Sequence, residues 1–347
     1  MFSIQLGKLK SSVLGIRKSL DWQNLLRGSV LPQIGETPAY GIDAALRSAM
    51  QESAPDRLSW QLQDHRYTVT ALYASYEKFI DELVGAYITL IPRVWPSYHA
   101  LPDTVRRQYR LGISQILSKW GPDSIYASIP EASIALGLVT GLNGSEYTLL
   151  SQALLTDSNN YRTDVLNKIF ERIGISSAFK LACSEPEIVE FLTNKLSDQH
   201  TAETFLSSLI ESRNKASHGE TTQVASYGEL IHCIDFIVLL CESLEKCLRD
   251  SLIIAGTSSG VTKTIGNVIH RWSGNVVGFQ ASALHTIEPG MQFYFGNDEK
   301  LKLRTVIKIE LDKVVQQSLS VTPKMEISMQ LDGPVESKAK AYLRLNI

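Results

Sequence analysis

Apolar positions recur at intervals of three and four over most of the first 255 residues, then give way to short alternating runs. The first strong helix is predicted over residues 58–95, where Val69, Leu72, Tyr73, Tyr76, Ile80, Leu83, Tyr87 and Ile91 share one stripe. Pro92 and Pro96 end it. Further helices are predicted at Thr104–Trp120, at 163–173, at 186–196 with Pro186 suited to a helix start, and at Thr201–Ser217. Tyr227–Ile254 is the most regular, and Leu230, Ile234, Ile237, Cys241, Leu244 and Leu248 mark its buried side. Between 121 and 165, Gly121-Pro122, Pro130, Gly137, Gly141 and Gly144 predict short helices and loops. The first 57 residues are mixed. A basic, weakly amphipathic segment (Lys8, Lys10, Arg17, Lys18) leads to a loop around Pro32, Gly35, Pro38 and Gly41, then to a short helix at Ile42–Gln51. They read as an arm or irregular cap.

The period changes at about Gly256, where Gly256-Thr257-Ser258-Ser259-Gly260 reads as a linker. Strands are predicted at Thr264–Trp272, Asn275–Ala281, Met291–Phe295, Leu301–Ile309, Lys324–Leu331 and Lys340–Leu345. Turns fall at Pro289-Gly290, Gly296-Asn297-Asp298 and Asp332-Gly333-Pro334. Strands at this spacing predict a small closed β-barrel. The expected fold class is α+β and multidomain, an all-α helical bundle followed by a small C-terminal barrel. The expected division is an N-terminal arm or cap at 1–57, a helical domain at 58–255 and a barrel at 261–347.

A chain of 347 residues can support such a division. Hydrophobic residues make up 44% and charged residues 20%, an ordinary balance for a soluble protein. The formal net charge of −2 argues against a long duplex as substrate, because an extended phosphate footprint calls for a basic surface. A compact RNA site with a few local cations remains open. The four cysteines, Cys183, Cys233, Cys241 and Cys247, contain no CxxC pair, so neither a zinc site nor a disulfide framework is expected. The N-terminus lacks the uninterrupted apolar core of a signal peptide, and no run reaches the about 18 apolar residues of a membrane span. A cytoplasmic protein with no cofactor, no metal and no membrane partner is expected.

One segment offers chemistry: Arg213-Asn214-Lys215-Ala216-Ser217-His218-Gly219-Glu220. An imidazole can move the proton of a ribose 2′-hydroxyl, and a guanidinium can stabilise the crowded phosphate that results. On a helix Asn214 and His218 are four apart and share a face, so the amide could orient the ring. Arg213 lies five residues before His218, roughly 140° around the helix, so one copy does not close a site. Two copies related by a twofold axis could. Gly219 is a candidate helix end, which would leave His218 near solvent.

The segment resembles the ribonuclease motif of the HEPN superfamily, an arginine, a polar residue, a short spacer and a histidine. It looks like the form found among RiboL-PSP-type HEPN proteins, where Arg-Asn is followed by His-Gly. A long early helix (YASYEKFIDELVGAYI), a helix entering the motif (FLSSLIESRN) and one leaving it (YGELIHCIDFIVLLCESLEKCL) agree, and the resemblance covers roughly residues 60–252. It implies an all-α bundle that dimerises around the motif. It also implies a metal-independent endoribonuclease, often a toxin or an effector of phage defence, sometimes with a neutralising or sensor protein. Carried over by position, Arg213 and His218 would be catalytic and Asn214 would orient the histidine. Such proteins often carry an acidic residue on the early helix, for which Glu77 and Asp81 are candidates. The tail is similar to the second-domain barrel of elongation factor Tu. It shares an opening Ile265-Gly266-Asn267-Val268 strand and an Ile287-Glu288-Pro289-Gly290-Met291 turn. Such a barrel could touch RNA or a protein.

Other signals are weaker. Arg106, Arg107 and Arg110 could grip phosphates, although a solvated helix face is the simpler reading. Tyr67, Tyr73, Tyr76 and Tyr87 could stack on bases, but their spacing points first to packing. His232, His270 and His285 read as structural, and the cysteines as core residues. Two functions follow. One is a homodimeric endoribonuclease acting on RNA, with tRNA as a candidate, and leaving 2′,3′-cyclic phosphate ends. The alternative is a non-catalytic RNA- or protein-binding module that dimerises and docks a partner through its barrel.

Overall fold

The computed structural model describes residues 1–31, 43–144, 146–156, 160–195, 201–220, 223–272, 275–297 and 300–343. The expected Pro/Gly loop at 32–41 lies outside these residues, as do Ile42, Leu196, Asp298 and Leu345 at the edges of other expected elements. The helices are α1 (Ser3–Val30), α2 (Ala44–Ser53), α3 (Arg57–Val94), α4 (Asp103–Lys119), α5 (Glu131–Leu142), α6 (Ser151–Leu154), α7 (Thr163–Arg172), α8 (Ala178–Cys183), α9 (Pro186–Lys195), α10 (Ala202–His218) and α11 (Tyr227–Ser258). The strands are β1 (Thr264–Arg271), β2 (Val276–Ala281), β3 (His285–Ile287), β4 (Gln292–Gly296), β5 (Leu301–Leu311), β6 (Val314–Gln316), β7 (Leu319–Val321), β8 (Glu326–Leu331) and β9 (Lys340–Tyr342). A helical region followed by a barrel is the architecture that the pattern predicts. No described helix is long and apolar enough to cross a membrane.

The contacts gather into two compact units. One holds Phe2–Ala86 and Leu154–Glu245; the other holds Met1, Tyr87–Ala153 and Lys246–Ile347. The boundary passes within α3 and within α11.

In the first unit, α1 replaces the expected irregular cap. Leu9, Val13, Ile16 and Leu20 are buried at helical spacing. Its basic residues pair with acids on α3 and α11: Lys8 with Glu82 at 3.0 Å, Lys10 with Glu242 at 2.5 Å and Arg17 with Asp235 at 2.7 Å. Arg27, near the end of α1, forms a buried ion pair with Asp64 of α3. Burial pushes the Asp64 carboxyl above its ordinary range, and Arg27 opposes that push.

The middle of α3 buries Tyr73 and Tyr76, whose hydroxyls need partners in the interior. Both find them on Tyr161, just before α7. The Tyr76 hydroxyl donates to the Tyr161 carbonyl at 3.0 Å, and the Tyr161 N–H donates to the Tyr73 hydroxyl at 3.0 Å. The Tyr161 hydroxyl in turn donates to Asp81 of α3.

In the second unit, six antiparallel strands close in the order β4-β9-β1-β2-β8-β5, with β5 returning to β4. β6 extends β5 as a hairpin. Its turn residues Asp312 and Lys313 both have positive φ, 50° and 67°, so Leu311 faces Val314 across a two-residue turn. β3 and β7 form a separate pair. The barrel interior is filled by Phe279, Phe295, Val277, Val306, Ile309, Met329 and Leu331, among others. The expected linker at 256–260 is a correction. α11 continues through Ser258, where Thr257 and Ser258 hydroxyls donate to the Ile253 and Ile254 carbonyls one turn back.

Gly266 explains why the barrel opens with a glycine. A Cβ there would sit 2.3 Å from the Gln280 carbonyl oxygen and 2.3 Å from the Phe279 ring. Gly266→Ala is therefore expected to lower stability by about 2 kcal/mol. Urea denaturation of the full chain measures this, and an unchanged midpoint would show that β1 and β2 separate at no cost.

Candidate functional site

The motif occupies the last two turns of α10, in the first unit. The helix starts at a capping box in which Thr201 and Thr204 bond each other's backbone N–H, at 2.9 and 3.2 Å. It ends as expected at Gly219, where φ is +74°. The Gly219 N–H donates to the Ala216 carbonyl at 3.4 Å and the Glu220 N–H to the Lys215 carbonyl at 3.0 Å. This is a Schellman closure, and it makes His218 the final helical residue, exposed to solvent.

Arg213 is held differently. Its guanidinium lies over the Tyr73 ring, 4.5 Å from the centroid. Its Nη1 donates to Asn214 Oδ1 at 2.9 Å. Glu77, one turn along α3 from Tyr73, completes the surroundings. Burial pushes its carboxyl above the ordinary range, while Arg213 opposes that push and Asp81 adds to it. The Tyr73 hydroxyl lies close enough to Glu77 to influence its carboxyl. The structure thus brings together Arg213, Asn214, Tyr73 and Glu77. Among the described residues Asn214 bonds Arg213 rather than His218, so within one chain the amide steadies the guanidinium instead of orienting the imidazole. Asp81 is committed to Tyr161, and burial holds its carboxyl above its usual range.

Arg106, Arg107 and Arg110 lie on α4, in the other unit; Arg106 pairs with Asp103, and Arg107 and Arg110 are exposed. Tyr73, Tyr76 and Tyr87 are buried, as their spacing implied, whereas Tyr67 is exposed. Burial pushes the Cys183 and Cys233 thiols up to about 12, which suits packing and not nucleophilic work. Among the described residues no three His, Cys, Asp or Glu side chains gather as metal ligands. His232 packs edge-on to Phe191, with ring centroids 6.2 Å apart.

Two residues that motif reading passed over hold the segment or its neighbours. His65 of α3 is buried. Its Nδ1 accepts the Ala225 N–H at 3.1 Å, so the neutral ring carries its proton on Nε2 and donates to Ser212 Oγ at 2.9 Å. Arg66 donates from Nη2 to the Gly219 carbonyl at 3.2 Å. A signal for His65 was available. It continues the α3 stripe backward, four residues before Val69 and eight before Tyr73. Beside it opens a groove of about 950 Å³ lined by His65, Phe205, Ser212, Lys215, Glu229 and His232.

Burial, and next the charge of Arg66, hold the His65 pKa below its ordinary 6.5, while Glu229 works the other way. The unfolded chain then takes up a proton near pH 6.5 that the folded chain resists. Stability present above that pH drains as pH falls toward the folded-state value. The unfolding free energy should decrease between about pH 7.5 and 5.5, and His65→Gln should flatten that decrease. Denaturation of both proteins at the two pH values decides it; parallel slopes would contradict the assignment.

The RiboL-PSP-HEPN family matches residues 61–250, more than half of the chain, including the whole motif and the helix that enters it. No curated protein and no solved structure matches.

Proposed function

Because the chain belongs to the RiboL-PSP-HEPN family, a family of ribonuclease and RNA-related proteins, we propose that it is a metal-independent endoribonuclease. The observation that carries this reading is the end of α10. Arg213 is held by Tyr73 and Asn214 beside Glu77, and His218 stands exposed one turn later beside a glycine cap.

In the proposed reaction, His218 of one copy takes the proton of a ribose 2′-hydroxyl, whose oxygen attacks the neighbouring phosphorus. Arg213 stabilises the pentacoordinate phosphate. The 5′-oxygen leaves and takes its proton from water. The products carry a 2′,3′-cyclic phosphate and a 5′-hydroxyl. Asn214 holds the guanidinium, and Glu77 balances its charge. A homodimer is part of the proposal, because Arg213 and His218 point roughly 140° apart on one helix. The biological setting we propose is a toxin or antiviral effector that cuts tRNA or another host RNA, restrained by a partner protein. We propose that the C-terminal barrel positions a tRNA- or ribosome-like substrate.

Purified protein incubated with total tRNA in EDTA should yield fragments with cyclic phosphate ends. His218→Ala should reduce the rate by about 100-fold or more, with an unchanged melting temperature. Undiminished cleavage by that variant rules the mechanism out. A gel shift without cleavage by the wild type would make the protein a binding module instead.

A further inference from the structure

Two adjacent residues of α3 hold the two ends of the motif. His65 donates to Ser212, the residue before Arg213. Arg66 donates to the carbonyl of Gly219, the residue after His218. Ser212 and Gly219 are separated by about 10 Å of helix rise. The same pair also spans the connection to α11, since His65 accepts the N–H of Ala225 just before that helix.

The last turn of a helix is its weakest part, because its carbonyls lack partners within the helix. His218 sits there, and its ring is exposed. The position of the imidazole therefore depends on the backbone of the terminal turn. Besides the Schellman bonds, the contact described at that turn from another element is Arg66. At the other end Arg213 is fixed through its own side chain, and His65 fixes the residue beside it. An imidazole suits this second task, because it offers a donor and an acceptor on opposite sides of one rigid ring.

We propose that His65 and Arg66 are positioning residues of the nuclease site, setting the helix end so that Arg213 and His218 keep the spacing the reaction requires. This rests on the ribonuclease reading above. Neither residue need touch RNA. Their loss should lower kcat and leave KM nearly unchanged, because a small misplacement of a catalytic group acts on the reacting geometry more than on the binding of a large substrate.

The test uses the full-length chain, tRNA as substrate and two readouts. Arg66→Ala and His65→Leu should each reduce kcat by about tenfold or more, with KM within about twofold. Amide hydrogen exchange should quicken over residues 215–220 in Arg66→Ala, while residues 203–211 keep their protection. His65→Gln preserves a donor and an acceptor, so it should recover to within about threefold of wild type. It also serves where His65→Leu does not fold. Wild-type kcat together with wild-type exchange in Arg66→Ala and His65→Leu overturns the proposal, as does an equal loss in His65→Gln and His65→Leu. If the wild type cleaves nothing, the nuclease reading fails by itself, and the exchange data alone decide whether the pair holds the helix end.

Discussion

A buried tyrosine hydroxyl left without a hydrogen bond costs stability, and on α3 that cost shapes the surroundings of the motif. Burying Tyr73 and Tyr76 is costly unless another segment supplies a donor and an acceptor at the right places. Tyr161 supplies both from one peptide segment and returns its own hydroxyl to Asp81. Each bond contributes only about 1 kcal/mol net, but leaving one unmade costs about as much again or more, so the arrangement admits few alternatives. Tyr73, locked in this way, is the ring on which Arg213 lies. The guanidinium is therefore placed by packing that begins far from it in sequence.

The second constraint is helical geometry. Five residues separate Arg213 from His218, and no rotamer choice makes a straight helix aim both side chains at one point. The structure accepts that limit. It turns Arg213 inward onto α3 and leaves His218 at the open end, capped by Gly219 and tied by Arg66. In the proposed reaction such a half-site works only when a second one faces it. That is the physical reason for tying the proposed chemistry to a twofold pairing.

Much of this was legible in the sequence, wherever a burial stripe ran long enough to fix a period. α3, α4, α9, α10 and the main barrel strands fall within two or three residues of their expected limits for that reason. α1 was not legible as a packed helix. Its lysines and arginine read as a solvated basic segment, and only the acids on α3 and α11 reveal them as partners. α8 and strands β3, β6 and β7 are too short to carry a period, and pairing or neighbouring helices decide them. At the site, the motif residues were legible because their spacing is chemical as well as structural. Glu77 was a candidate by position and does lie in the field of Arg213. Asp81 was an equal candidate and went to Tyr161. His65, Arg66 and the hold of Tyr73 on Arg213 depend on which helices meet, and one chain's spacing does not encode that.

The central claim, that the site is completed by two chains, can be measured by complementation. Arg213→Ala and His218→Ala chains carrying different tags would be co-expressed, and the mixed dimer isolated through both tags and assayed on tRNA. Each variant alone should be inactive. The mixed dimer, which retains one guanidinium and one imidazole in a shared cleft, should regain cleavage. A mixed dimer as inactive as its parents would contradict the shared site.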